Sequence, residues 1–345
     1  MMYKTPLYTV ILVTGDGTKY YVKGSGSANQ TTSLTLSEVD GQLAQKAVIK
    51  LANFKVPGNK GGNPSALFAV KSKVYIYAKG AGVTKSTEVF RGFVWENKYT
   101  NKDQKEVTLT CYDQLIYLMN SQINLYISKG KDTKSVISAI CKKWGIKLSY
   151  DYETIKHPKL PLSGSIADVL TGGVLKKVQD KKEKKYVIKS RKGILHITAA
   201  GKNKTVYLID KAGRDGEIGY VRNTTMDGMV TKVIIAGSTD SNGKTKIEAT
   251  ESKNTKQYGT LQKVIYKEED TKLKEAKTEA KQVLKDQAQP KKTYEDVEAM
   301  DIPWVGKGDK VGVCFSGKTM TYCIVKSVIH HVDTEMMMMD LEKAK

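Results

Sequence analysis

The sequence predicts a β-rich α+β protein in which two antiparallel β units flank a small α+β segment, with a helical insertion in the second unit. Three observations carry this. Late in the chain, Val305-Gly-Lys-Gly-Asp-Lys-Val-Gly-Val-Cys-Phe, Ser316-Gly-Lys-Thr and Met320-Thr-Tyr-Cys-Ile-Val-Lys-Ser-Val-Ile-His alternate apolar and polar residues around turn chemistry, as a hairpin does. An earlier stretch echoes it: Val70-Lys-Ser-Lys-Val-Tyr-Ile-Tyr, a Gly-rich loop from Lys79 to Thr87, then Val89-Phe-Arg-Gly-Phe-Val-Trp, with the same Lys-Val step, turn and second strand. This is the pattern of a degenerate internal duplication. Between the two copies the apolar period changes from two to that of a helix, which separates a middle segment from both β units.

Leu7 to Val13, the Gly15-Asp-Gly turn and Lys19 to Val22 form an opening hairpin. Leu34 and Leu36, then Ala47, Ile49 and Leu51, recur with period two, so each strand buries one face. Asn53 to Pro64, rich in Gly, Asn and Pro, is a loop. With Glu106 to Cys111 these strands suit a closed barrel better than an open sheet. Asp113-Gln-Leu-Ile-Tyr-Leu-Met starts a short helix. Asp132 caps another, with Val136, Ile137, Ile140 and Trp144 on one face and Gly145 at its end. A weaker helix carries Ile166, Val169, Leu170 and Val178, interrupted by Gly172 and Gly173. Tyr186 to Ile188 and Leu195 to Ile197 flank an Arg191-Lys-Gly turn. Strand signals resume at Val206 to Ile209, Val230 to Ala236 and, after an Asp240-Ser-Asn-Gly turn, Thr245 to Ala249. The clearest helix follows, with Glu268, Glu269 and Asp270 at its start, a stripe of Leu273, Ala276, Ala280, Val283 and Leu284, and Pro290 at its end. That narrow stripe suits light packing on its own unit or a bundle with other copies. The expected units are 1–116, 117–204, 205–262 with 296–345, and the inserted 263–295.

The formal charge is +21, from 57 Lys+Arg against 36 Asp+Glu, and only four of those cations are arginine. Such an excess attracts nucleic acid or an anionic membrane, but lysine also guards exposed strand edges and reads bases poorly, so a solvated lysine surface is the favoured reading. Four cysteines do not make a disulfide scaffold. Pairing Phe315 with Met320 sets Cys314 and Cys323 diagonally on one face as packed thiols. Leu7 to Val13 is too short to span a bilayer, and no membrane insertion is expected. Among the histidines, His157, His196, His330 and His331, the adjacent pair points to opposite strand faces and cannot chelate one ion. No metal, nucleophile or phosphate-loop motif is present, so no catalytic residue, cofactor or small-molecule substrate is expected. Met336 to Met339 alternate between strand faces as core filling.

Val89-Phe-Arg-Gly-Phe-Val, Cys111-Tyr-Asp-Gln-Leu-Ile-Tyr-Leu, Met226-Asp-Gly-Met-Val-Thr-Lys-Val-Ile-Ile, Gln257-Tyr-Gly-Thr-Leu-Gln, Gly306-Lys-Gly-Asp-Lys-Val and Val328-Ile-His together resemble the XkdQ/YqbQ family. That family belongs with the late control gene D proteins and the central baseplate hubs of contractile phage tails and tail-like bacteriocins. The resemblance implies two tube-type antiparallel β-barrel domains flanking a small α+β domain. It also implies a non-enzymatic homotrimer adapting a hexameric tail tube ring to a trimeric central spike on a separate chain. Other baseplate proteins and the tape measure protein are further implied neighbours, with assembly in the bacterial cytoplasm. The family-motif positions are Phe90, Gly92, Asp113, Leu115, Tyr258, Gly259, Leu261, Gln262, Gly308, Asp309, Val311 and His330. Loops at Lys55 to Pro64 and Lys79 to Ser86 are the expected contacts to tube or neighbouring subunit.

Two other classes remain open: a nucleic-acid-binding protein and a tail-associated cell-wall hydrolase. The hub reading expects retention on DNA that stays flat as salt rises. A steep loss of binding on a log–log salt plot, reporting several phosphate contacts, would favour the first alternative.

Overall fold

The computed structural model describes residues 5–24, 29–57, 61–80, 85–102, 105–209, 219–239, 243–267, 272–315 and 319–344. In the first half, β1 (Leu7–Val13), β2 (Lys19–Lys23), β3 (Thr31–Glu38), β4 (Lys46–Ala52), β5 (Lys73–Lys79), β6 (Thr87–Asn101) and β7 (Lys105–Tyr112) pair in the order β3-β4-β7-β6-β5-β1-β2. Their alternate residues, including Val10, Leu12, Leu34, Leu36, Ile49, Leu51, Ile76 and Leu109, are fully buried in one core. The period-two strands therefore curl around what they bury. Thr31 Oγ1 donates to Val22 O at 2.9 Å, bringing β3 against β2. No ladder joins these two strands among the described residues; this side-chain bond links them instead. The short helix α1 (Pro64–Leu67) begins at Pro64, where the expected loop ends. Residues 58–60 and 81–84 of the two loops lie outside the described residues.

The middle of the chain holds α2 (Ile116–Met119), β8 (Gln122–Ile127), α3 (Thr133–Lys143), β9 (Lys147–Asp151) and β10 (Leu160–Ser165). Then come α4 (Ile166–Asp168), a π-helical stretch Val169–Leu175, α5 (Lys176–Lys182), β11 (Tyr186–Arg191) and β12 (Ile194–Ala199). Asp132 caps α3 by accepting from Ser135 N at 3.0 Å. The weak helix with Gly172 and Gly173 widens into π turns rather than breaking. A Cβ on Gly173 would lie 2.9 Å from a Leu162 methyl, so the glycine lets this helix approach β10.

The second half repeats the first. After β13 (Tyr207–Ile209) and β14 (Val221–Thr225) come β15 (Lys232–Thr239), β16 (Thr245–Ser252), α6 (Thr255–Tyr258), β17 (Gln262–Tyr266) and α7 (Leu273–Gln287). β18 (Lys291–Met300), β19 (Lys310–Val313), β20 (Thr321–His331) and β21 (Met336–Lys343) close the chain. The order β14-β18-β21-β20-β19-β13 matches β3-β4-β7-β6-β5-β1 strand for strand. The registers match as well. On β6 and β7, Phe93 faces Tyr112 and Val94 faces Cys111, then the pairing slips past Trp95 to Glu96 and Thr110. On β20 and β21, Ile324 faces Glu342 and Val325 faces Leu341, then it slips past Lys326 to Ser327 and Asp340. Both bulges sit beside the same brace: Val94 exchanges backbone bonds with Lys71 and Ser72, and Val325 with Gly308 and Asp309. The repeat is imperfect, since β1 pairs antiparallel with β5 but β13 pairs parallel with β19.

Three expectations need correction. The sequence pattern places Val230 to Ala236 and Thr245 to Ala249 in the second barrel. Instead, β15 and β16 join β17 in a separate three-stranded sheet on which α7 lays Ala276, Ala280, Val283 and Leu284. The helix thus covers strands of its own insertion, which interrupts the β14-to-β18 connection; strand periodicity reports a buried face but not which strands pair. The late hairpin has Val313 opposite Thr321, one residue from the Phe315–Met320 register. Phe315 leaves the ladder to stack on Tyr294 at 4.2 Å, and Cys323 faces Val311, so the two cysteines are not diagonal neighbours on one face. The residues Glu268 to Asp270, Asp240 to Asn242 and Ser316 to Lys318 lie outside the described residues.

Gly92 tests the tightness of the first half. A Cβ there would sit 2.2 Å from Tyr112 O, which is backbone and cannot swing aside. Gly92→Ala is expected to cost about 1–3 kcal/mol, read as a lower urea midpoint at unchanged m-value.

Candidate functional site

The halves are joined where β20, having run past the end of β19, pairs with β3: Val328 faces Glu38, Ile329 faces Ser37, His330 faces Leu36 and His331 faces Thr35. The thirteen strands of both halves thus form one sheet. Glu38, 6 % exposed, sits in this joint, and an unpaired carboxylate there would be costly. Arg191 Nη2, at the end of β11, reaches Glu38 Oε1 at 2.5 Å, and Lys307 N donates to Glu38 Oε2 at 3.2 Å. Burial alone would raise the Glu38 carboxyl, but Arg191, Lys189 and Lys307 outweigh it and hold the group below its ordinary range. Gly306 leaves room for the pair, since a Cβ would lie 2.6 Å from Arg191 Nη2. Lys307 Nζ reaches Val39 O at 3.2 Å and also Gln42 O, so one carboxylate ties together both halves and the middle segment.

A second polar chain crosses the same joint. Tyr8 OH donates to Asp301 Oδ2 at 2.5 Å, Asp301 Oδ1 lies 2.6 Å from His330 Nδ1, and His330 Nε2 lies 3.1 Å from Val305 O. Both ring nitrogens face oxygens, so the imidazole bridges Asp301 and the Val305 carbonyl. Burial first, then Asp301, pushes the Tyr8 hydroxyl far up, which keeps it a donor. Outside the ladder, Lys326 Nζ pairs with Asp40 Oδ2 at 2.6 Å.

The family-motif positions fall into separate groups. Phe90 and Leu115 are buried, and Gly92 admits β7. Asp113 accepts from Gln45 N at 3.0 Å and Leu115 N at 2.8 Å; burial drives its carboxyl up to about 7 despite those donors. Gly308, with φ +81, lies against Val187, where a Cβ would come within 2.5 Å of a methyl. Asp309 pairs with Lys189 at 2.5 Å, and Val311 is in the second-half core. His330 alone of the twelve lies in the β20–β3 pairing. Tyr258, Gly259, Leu261 and Gln262 lie instead in the insertion, where Thr231 N and Oγ1 bond the carbonyls of Leu261 and Gly259 at 2.8 and 2.7 Å. Glu38, Arg191, Lys307, Tyr8 and Asp301 are absent from the motif positions; a lone charged residue at an inward-facing strand position, such as Glu38, was their only signal.

Among the described residues, no group of three His, Cys, Asp or Glu is placed to hold a metal ion. Cys111, Cys141, Cys314 and Cys323 are buried and free; burial pushes the thiols of Cys141 and Cys323 up to about 11 and Cys111 further. A cavity of about 210 Å³ beside the joint is lined by Glu38, Arg191, Trp304 and His330, all engaged in the contacts above or in packing. No described helix is long and apolar enough to cross a membrane.

The fold recurs in known proteins. The profile of the YQBQ-like family matches residues 54–343. The chain belongs to the YQBQ-like family. Among curated proteins, this family member is 24 % identical over 227 residues to the phage-like element PBSX protein XkdQ of Bacillus subtilis, covering 65 % of this chain and 67 % of that one. Among solved structures it resembles a tail protein from Neisseria meningitidis, with TM-score 0.67 and 11 % identity over 98 % of this chain and 97 % of that one. It also resembles the 43 kDa tail protein of prophage MuSo2 from Shewanella oneidensis, with TM-score 0.63 and 15 % identity over 97 % and 98 %. At these identities the structural likeness establishes the fold, a β-rich arrangement with few helices.

Two outcomes follow for the joint. Breaking a buried ion pair costs about 3–5 kcal/mol. Arg191 keeps 32 % of its side chain exposed, so Glu38→Gln is expected to cost less, about 2 kcal/mol by urea unfolding. For pH, Glu38 has a lowered folded pKa, so its contribution is present above its ordinary 4.5 and is lost as pH falls through the lower folded value. Asp113 has the opposite sign: the folded state keeps its proton from 3.8 up to about 7, so stability declines across that window and levels above it. Asp113→Asn should remove the decline; unfolding midpoints that still fall from about pH 4 to pH 7 in the variant would assign the slope elsewhere.

Proposed function

We propose that this chain is a structural hub in the tail baseplate of a contractile phage or tail-like particle. Three copies sit between a hexameric tail tube ring and a trimeric central spike. The observation that carries this reading is the repeat: one polypeptide holds two modules with the same strand order and the same bulge register. Three such chains present six similar modules to a sixfold ring while keeping threefold symmetry for a spike. The first module spans roughly residues 1–116. The second runs from 205 to 345, interrupted between β14 and β18, and the segment 117–204 lies between them. Kinship with a PBSX protein and a shared fold with two tail proteins support a place in a tail.

The role is mechanical and non-enzymatic. A continuous sheet supplies rigid backbone edges, and the buried polar chains at the joint fix the angle between modules. In this reading Phe90, Gly92, Asp113, Leu115, Gly308, Asp309, Val311 and His330 hold the modules in shape, while Tyr258, Gly259, Leu261 and Gln262 hold the insertion. Neighbours are the tube ring, the spike, other baseplate proteins and the tape measure protein. Electron microscopy of assembled particles is expected to locate three copies on the tail axis between tube and spike; density on the sheath, in the capsid or absent from the particle would overturn the proposal.

A further inference from the structure

The joint inside the chain has a counterpart on the first module. Each module has a long strand that outruns its neighbour, β20 past β19 and β6 past β5. In the second module the overhang of β20 is taken up by β3. Among the described residues, the overhang of β6 in the first module has no strand partner on that side, and β14, the counterpart of β3, pairs only with β18. Asn97 engages the neighbouring α1 through its side chain, donating to Phe68 O at 2.8 Å and Ser65 O at 3.2 Å, so its backbone is not consumed by that contact.

The counterparts can be read off the registers. Asn97 and Val328 are the first residues after the paired positions that follow each bulge, so Asn97 to Thr100 correspond to Val328 to His331. Ser37 faces Lys46, which faces Tyr112; Asn223 faces Thr293, which faces Glu342; and Tyr112 and Glu342 are equivalent. Val221 to Thr224 therefore correspond to Thr35 to Glu38. We infer that the β6 overhang of one copy pairs antiparallel with β14 of a second copy, with Asn97 facing Thr224, Lys98 facing Asn223, Tyr99 facing Arg222 and Thr100 facing Val221. This rests on the hub reading above and specifies the edges through which its copies join.

The side chains fit this occupant. Trp95, Tyr99, Val221 and Met226 are 41, 43, 53 and 44 % exposed, four large apolar groups on two edges that otherwise end the sheet. Trp95 is the counterpart of Lys326, and Met226 that of Asp40, the residues that form an ion pair across the in-chain joint. Between copies that position carries an aromatic ring and a thioether, a favourable pair once covered. Tyr99 opposite Arg222 sets a cation over a ring. The contact is heterologous, using different edges on the two copies, so it propagates around a ring.

The test is site-directed crosslinking in assembled particles carrying Thr100→Cys with Val221→Cys in one chain, since directly opposed strand residues lie within disulfide reach. The four native cysteines are buried. After oxidation the double variant is expected to migrate largely as a covalent trimer, with either single variant remaining monomeric and the off-register pair Lys98→Cys with Val221→Cys at least tenfold less crosslinked. Equal crosslinking of the off-register pair overturns the register. Three copies on the axis with no crosslink overturn the edge pairing and leave the hub reading standing, whereas absence of the chain from the axis overturns both.

Discussion

The antiparallel pairing of β20 with β3 is the constraint on which the rest depends. Backbone hydrogen bonds there turn two curled sheets into one, and a charged residue, Glu38, is buried in the seam. Burying that carboxylate is favourable only with its partners in place. One partner comes from the middle segment and one from the second half, so three stretches distant in sequence must assemble together. The Tyr8–Asp301–His330 chain adds the same demand over a separation of 293 residues. Seams made this way resist bending because polar groups, unlike apolar ones, have few alternative arrangements.

The two halves share pairing geometry more closely than residue type. The bulge falls at the same step of both long strands, yet it holds Trp95 in one and Lys326 in the other. The first core is filled by Phe68, Phe90 and several leucines; the second by Val297, Val311, Met337 and Met339. What persists through such divergence is the ladder, whose bonds need no particular side chain.

Much of this was legible beforehand for a physical reason. Strands with one buried face announce themselves by period two, as in Leu34 and Leu36 or Met337 and Met339, and Asp132 marks the start of α3 through local hydrogen bonding. The paired Lys-Val hairpins also pointed to the repeat. Pairing partners were less legible. β15 and β16 alternate much as other strands do, and only tertiary packing assigns them to the insertion with α7. The hairpin register shifted because Phe315 found an aromatic neighbour in Tyr294, a contact invisible to turn chemistry. At the joint, His330 stood among the motif residues, but Glu38 and Asp301 gained meaning only from partners far along the chain.

The insertion occupies the connection from β14 to β18, the place where the first half has only the short passage from β3 to β4. It carries its own sheet and its own covering helix, and among the described residues its strands pair only with one another. Trimming or enlarging this appendage therefore leaves the spacing of the main ladder unaltered. A polypeptide organised this way can gain or lose outer segments while the thirteen-strand ladder keeps its register.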